Sequence, residues 1–212
     1  RDRDLLETFK TLYSSVYSSI TDRERDTNFK KGYKSTVWTV SALAFREALV
    51  AGGLPVGRKG RTVKIPAHGF SETDFYRGLL DANGSLGYTA KRLPFLSLNT
   101  ASPDMAAAYI AFLKKVIGKD KHDRPNRRDG TYNIVVWKED AQALCRLLYY
   151  PDCLGLARKC RAAAQISPYP RSRSILPSCG RPPAPTSIAA TTPTVRCLSR
   201  HSLIVATRPG RS

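Results

Sequence analysis

Residues 76–85 read Tyr76-Arg77-Gly78-Leu79-Leu80-Asp81-Ala82-Asn83-Gly84-Ser85. On a helix Gly78 and Ala82, four apart, share one face. Small residues there let two helices approach backbone to backbone. Asp81 and Asn83 fall at the end of the same helix. Two such helices side by side would bring their C-terminal ends together. Carbonyl and side-chain oxygens gathered there would hold a hard cation such as Mg2+ at the negative ends of the helix dipoles. An ordinary helix–helix contact explains the small residues, but not the acid and amide oxygens beside them.

The charge points to a polyanion. Lys and Arg number 35 against 17 Asp and Glu, a net +18. A surplus of that size favours phosphate-rich partners through counterion release; a solvated basic surface or a ribosomal setting is the blander account. The stretch 167–212 has seven Arg and eight Pro but no Asp, Glu or Lys, which leaves +11 on residues 1–166. Its Pro-rich segments cannot continue a helix or pair as central strands, so a disordered tail is expected. No apolar run reaches the ~18 residues of a membrane-spanning helix. The five Cys include no C-x-x-C pair, and His68, His122 and His201 are scattered. A zinc site or disulfide framework is therefore not indicated, and a reducing compartment is the default.

The elements that must carry these residues alternate between helix and strand. Leu5, Leu6, Phe9 and Leu12 recur at helical spacing over 4–13. Strands are expected at 17–20 and 35–40, with the polar run 21–34 as a long hairpin loop. A helix over 41–52 carries Leu43, Ala44, Ala48 and Leu49 on one face and stops at Gly52-Gly53. Ser71 is an N-cap with Asp74 three residues on, close to a capping box. Its helix runs through Phe75, Leu79 and Leu80 and ends near Asn83-Gly84, which suits a left-handed turn. Strands at 86–89 and 95–98 form a hairpin. A helix over 102–117 turns Ala106, Tyr109, Ile110 and Leu113 to one side. Residues 126–129 lead into a strand over 131–137, the second of a further pair. Helices over 139–149 and 154–166 follow, separated by Pro151.

The motif around Gly78-Leu79-Leu80-Asp81-Ala82 with Gly84 resembles that of the LAGLIDADG homing endonucleases. Three other segments are similar to that family. They are Gly53-Leu54-Pro55-Val56-Gly57-Arg58-Lys59 with Ile65-Pro66, Arg128-Asp129-Gly130-Thr131-Tyr132-Asn133-Ile134, and Leu148-Tyr149-Tyr150-Pro151 with Leu156-Ala157-Arg158-Lys159. The resemblance spans roughly residues 35–163. It implies an α+β fold, an αββαββα unit with saddle-shaped antiparallel sheets. Residues 1–65 are then a partial copy lacking its motif helix, 66–166 the complete unit and 167–212 the tail.

The resemblance further implies a nuclease centre at the paired helix ends and a sheet laid on the DNA major groove. Asn83 stands where the family has its metal-binding Asp or Glu. Its carbonyl can ligate Mg2+, but it brings no charge. Asp81 is a second candidate ligand, with a structural carboxylate as the rival role. Lys138, directly after the last strand, could stabilise charge on the attacked phosphate or be a plain surface residue. Candidate DNA contacts are Lys30, Lys31, Lys34, Thr36 and Trp38 in the first unit. In the second they are Tyr88, Lys91, Arg92, Arg127, Arg128, Tyr132 and Asn133. Arg can bond guanine and Asn adenine two ways, while Lys more often neutralises phosphate.

The expected activity is Mg2+-dependent hydrolysis of phosphodiesters in a long duplex DNA site, by an enzyme encoded in an intron or intein or standing free. A catalytically weakened DNA-binding protein and an RNA-binding maturase are the alternatives, and Asn83 speaks for the former. Partners are double-stranded DNA and either a second copy or a first half upstream of Arg1. No membrane is involved. The expected setting is cytoplasmic, in a prokaryote or phage, with an organelle as the alternative.

Overall fold

The computed structural model describes residues 2–27, 30–57, 59–67, 69–121 and 124–168. The side chains of Thr27 and Lys30, together with Arg58, His68, His122 and nearly all of the 167–212 tail, lie outside the described residues. The described residues are mixed helix and strand, with two antiparallel sheets and no closed barrel among them. Among the described residues no helix is long and apolar enough to cross a membrane.

An N-terminal unit comprises α1 (Arg3–Leu12), β1 (Ser18–Thr27), β2 (Lys30–Val40) and α2 (Leu43–Ala51). Within the expected loop over 21–34, residues 21–27 and 30–34 instead belong to two paired strands. Asp22 pairs with Thr36, Arg23 with Ser35 and Glu24 with Lys34, and the register shifts between Arg25 and Thr27. Period-2 hydrophobicity marks a strand only where one face is buried. The outer half of this ribbon is exposed on both faces, so its strands read as polar loop. The unit's core is a small aromatic cluster. Trp38 stacks on Phe9 at 6.0 Å and on Tyr13 at 6.2 Å, and meets Phe45 edge-on at 6.3 Å. Phe45 therefore turns inward where Leu43 and Ala44 were expected, and Leu43 is exposed.

The second unit holds the main core. It runs α3 (Glu72–Asn83), β3 (Gly84–Tyr88), β4 (Pro94–Thr100), α4 (Pro103–Ile117), β5 (Tyr132–Trp137), α5 (Lys138–Leu148) and α6 (Ala157–Ile166). Ser71 and Ser102 cap α3 and α4, accepting from the N–H of Asp74 at 3.3 Å and of Met105 at 3.1 Å. The sheet order is β3-β4-β5, antiparallel throughout. Leu96, Leu98, Ile134 and Val136 point to one face, where they are buried with Leu80, Tyr109, Leu113, Leu144 and Leu148. Full burial of each such side chain contributes roughly 1.5–3 kcal/mol, so this cluster dominates the unit's stability.

Three expectations need correction here. Among the described residues one strand, not two, lies between α4 and α5. The preceding residues close on themselves instead. Asn126 Oδ1 accepts from Arg128 N at 3.0 Å, Asp129 Oδ1 from Thr131 N at 3.0 Å, and Asn126 N–H donates to Thr131 O at 2.7 Å. Such local Asn and Asp bonds compete with a ladder. Gly84 is extended, with φ −99° and ψ 168°, so α3 runs straight into β3 without a left-handed turn. Glycine is needed there for space, because a Cβ would lie 2.7 Å from the Leu80 carbonyl oxygen. The final helix starts at Ala157, not 154.

Candidate functional site: the end of α3 and the helix-free sheet face

The motif helix α3 is enclosed on most of its circumference. Phe75, Tyr76, Arg77, Leu79, Leu80 and Asp81 are buried; Gly78 is half-buried, and Ala82 and Asn83 are exposed. The Gly78/Ala82 line is thus the open side of the helix.

Asp81 points inward. Its Oδ1 accepts from the Tyr149 hydroxyl at 2.9 Å and its Oδ2 from the Leu156 N–H at 2.8 Å. Gly155 passes so close that a Cβ would sit 3.2 Å from Oδ2. Burial raises the Asp81 pKa above the usual carboxylate value, against these two donors and the nearby Lys159 ammonium. The carboxylate therefore ties α3 to the α5–α6 segment.

Lys159 completes the corner from α6. It is only 5% exposed. Its ammonium donates to the carbonyls of Leu80, of Asp81 at 2.9 Å and of Gly84 at 2.8 Å. A helix C-terminus leaves carbonyls without intrahelical partners, and here a buried cation satisfies them. Burial lowers the Lys159 pKa to about 8, opposed by the Asp81 carboxylate.

Asp81 and Asn83, read together as metal ligands, are not brought to one point. Two residues on a helix are separated by about 200°. Asp81 accordingly faces the core and Asn83 the solvent. Among the described residues no three His, Cys, Asp or Glu side chains converge as a metal-binding group.

Among the described residues no helix covers the sheet's other face. Because directly paired residues share a face, the register places Ser85, Gly87, Phe95, Ser97, Asn99, Asn133, Val135 and Trp137 on it. Asn99 lies directly opposite Asn133, and Ser97 lies between Ser85 and Val135. Lys91 and Arg92, in the β3–β4 turn, and Lys138, after β5, are exposed at one end. Exposed Arg127 and Arg128 sit at the other, in the turn fixed by Asn126 and Asp129.

Several expected contacts fall elsewhere. Tyr88 pairs with buried Pro94 on the helical side, and its hydroxyl donates to Gln165 O of α6 at 2.8 Å. Tyr132 pairs with buried Thr100 and packs on the core. Strand alternation therefore excludes both from the face that holds Asn133. In the first unit Thr36 donates to Asp22 at 2.7 Å, and Trp38 is part of the aromatic cluster. Both lie on the side covered by α1. Lys34 is exposed 3.7 Å from Glu24, and Lys31 is exposed on β2.

Asn99, Ser97, Phe95, Trp137 and Lys159 escaped the sequence reading. A signal existed for the first three, since they alternate with the apolar Leu96 and Leu98. Lys159 stood in a family-like segment, but its role was not readable, because its carbonyl partners are some 80 positions earlier in the chain. The chain matches no protein-family model and no curated protein.

Proposed function

We propose that the chain binds duplex DNA through the helix-free face of β3-β4-β5 and cleaves it weakly if at all. The carrying observation is that face itself. It is an antiparallel surface with an Asn99/Asn133 pair near one end, Ser85 and Ser97 beside it, and exposed Lys or Arg at both ends. A strand surface of this kind fits the major groove, where Asn can bond adenine through N6 and N7. Flanking Lys91, Arg92, Arg127, Arg128 and Lys138 would neutralise phosphates and set the register. A LAGLIDADG-type arrangement would pair α3 with a second motif helix along Gly78 and Ala82. Mg2+ would then meet Asn83 rather than a carboxylate. The inward-turned, doubly bonded Asp81 favours the reading of a DNA-binding protein with impaired cleavage.

Gel shifts on a random-sequence duplex library and on structured RNA test this. With about 6–10 phosphate contacts, DNA affinity should fall by about 10³–10⁵ between 50 and 200 mM salt. Salt-insensitive binding, or a preference for structured RNA, would overturn the proposal.

A further inference from the structure

One end of the helix-free face differs from the rest in being aromatic. Phe95 on β4 pairs directly with Trp137 on β5, with ring centroids 5.8 Å apart and planes at 47°. On the other side of Phe95 stands Gly87, and the Phe95 ring lies against it. A Cβ there would meet Phe95 Cε1 at 3.7 Å. Gly87, Phe95 and Trp137 thus form one row across all three strands of the sheet. Trp137 is 44% exposed, against the buried Leu96 and Val136 on the reverse of the same two strands.

Exposed cations lie at the same end of the sheet. The β3–β4 turn bears Lys91 and Arg92 and is pinned by Thr89, which bonds Leu93 through both its N–H at 3.0 Å and its hydroxyl at 3.1 Å. Lys138 follows Trp137 directly. Arg92 and Lys138 both hold left-handed backbone, with φ 55° and 54°. A side chain adopts that conformation at a cost of order 1 kcal/mol, so the surroundings must hold it there. An exposed aromatic row beside fixed Lys and Arg suits neither an apolar partner nor a fully stacked duplex. In a duplex the π-faces of the bases are hidden. The combination suits a nucleobase whose face is free, with its phosphates on the cations.

We propose that the Phe95–Trp137 end of the sheet is a stacking platform for an unpaired base of single-stranded DNA. Trp137 is the stacking surface, and Lys91, Arg92 and Lys138 hold the flanking phosphates. This rests on the DNA-binding reading of the same face. It adds a ligand state, an open strand, that major-groove contact does not require.

The test uses the full chain with two labelled probes, an oligothymidylate of about 12 nucleotides and a blunt duplex. Trp38→Phe isolates the Trp137 emission. Oligothymidylate should quench that emission. Trp137→Ala should weaken oligothymidylate binding by about 5- to 150-fold and duplex binding by a clearly smaller factor. Trp137→Phe should retain most of the single-strand affinity, and it keeps an aromatic on the sheet should the Ala variant not fold. If Trp38→Phe does not fold, the binding comparisons in the parent chain decide. Binding without quenching, or equal loss on both probes, would overturn the platform. So would duplex binding with no oligothymidylate binding, while the DNA reading would survive. Tighter binding of oligouridylate would overturn DNA as the occupant. Failure to bind either probe would overturn both proposals together.

Discussion

Replacing Lys159 with Met removes one buried ammonium while keeping a stem of similar reach in the same packing. In the parent, Nζ serves three carbonyls. Leu80 O would keep a partner, because it also accepts the Gly84 N–H. The Asp81 and Gly84 carbonyls lose donors at 2.9 and 2.8 Å. A buried acceptor left alone costs about 1–3 kcal/mol, so the two together cost about 2–6 kcal/mol. Against this, the variant escapes the desolvation of the ammonium. The lowering of that pKa from 10.5 to about 8 is worth about 3 kcal/mol at most. The difference runs from about −1 to 3 kcal/mol, and its middle, a loss of about 1 kcal/mol, lowers the urea midpoint by about 0.5 M at a slope of about 2 kcal/mol/M. The pH dependence has a definite sign. Between 8 and 10.5 the unfolded chain holds more protons on Lys159 than the folded one, so the parent gains stability from this group as pH rises through that window. The neutral amine still donates two N–H groups, whereas Met donates none. The gap between parent and Lys159→Met should therefore widen from pH 7 towards pH 10, followed by far-UV circular dichroism in urea. A gap that narrows as pH rises would refute the placement of Nζ on these carbonyls.

Asp74 accepts from the Tyr150 hydroxyl at 2.8 Å and pairs with Arg77 at 2.7 Å. Burial works to raise its pKa, yet these partners hold it below the ordinary 3.8. Its stabilising contribution is present above pH 3.8 and is lost as pH falls through the lower folded value. Asp74→Asn should cost about 3 kcal/mol at neutral pH by stranding buried Arg77, and the difference should shrink in acid denaturation series. Gly84→Ala should cost about 1–3 kcal/mol in thermal or urea unfolding, because its Cβ meets backbone that cannot retreat. Asn83→Asp should raise Mg2+-dependent nicking of a bound duplex with little change in affinity, since a carboxylate attracts the cation far more than an amide. No gain despite intact binding would remove position 83 from the reaction.

Local patterns were legible where burial is one-sided. Ser71 announced a helix start and caps it as expected, and the helix expected from 102 is capped by Ser102 itself. The alternation through Leu96 and Leu98, and through Ile134 and Val136, marked β4 and β5. The excess of Lys and Arg was plain from composition. The ribbon was illegible over 21–26 and 31–34 because neither of its faces there is buried, so no period distinguishes strand from loop. Which side of the sheet each candidate reader occupies depended on packing. The helices cover the face of Tyr88 and Tyr132 and leave that of Asn99, Asn133 and Trp137 open. The end of α3 was the least legible of all. Asp81 is bonded by Tyr149 and Leu156, and its carbonyl by Lys159, across 68 to 78 positions of chain. Periodicity and capping act within a few residues, so they could place Asp81 and Asn83 at one helix end. Only the docking of α5 and α6 turned the acid into the core and left the amide in solvent.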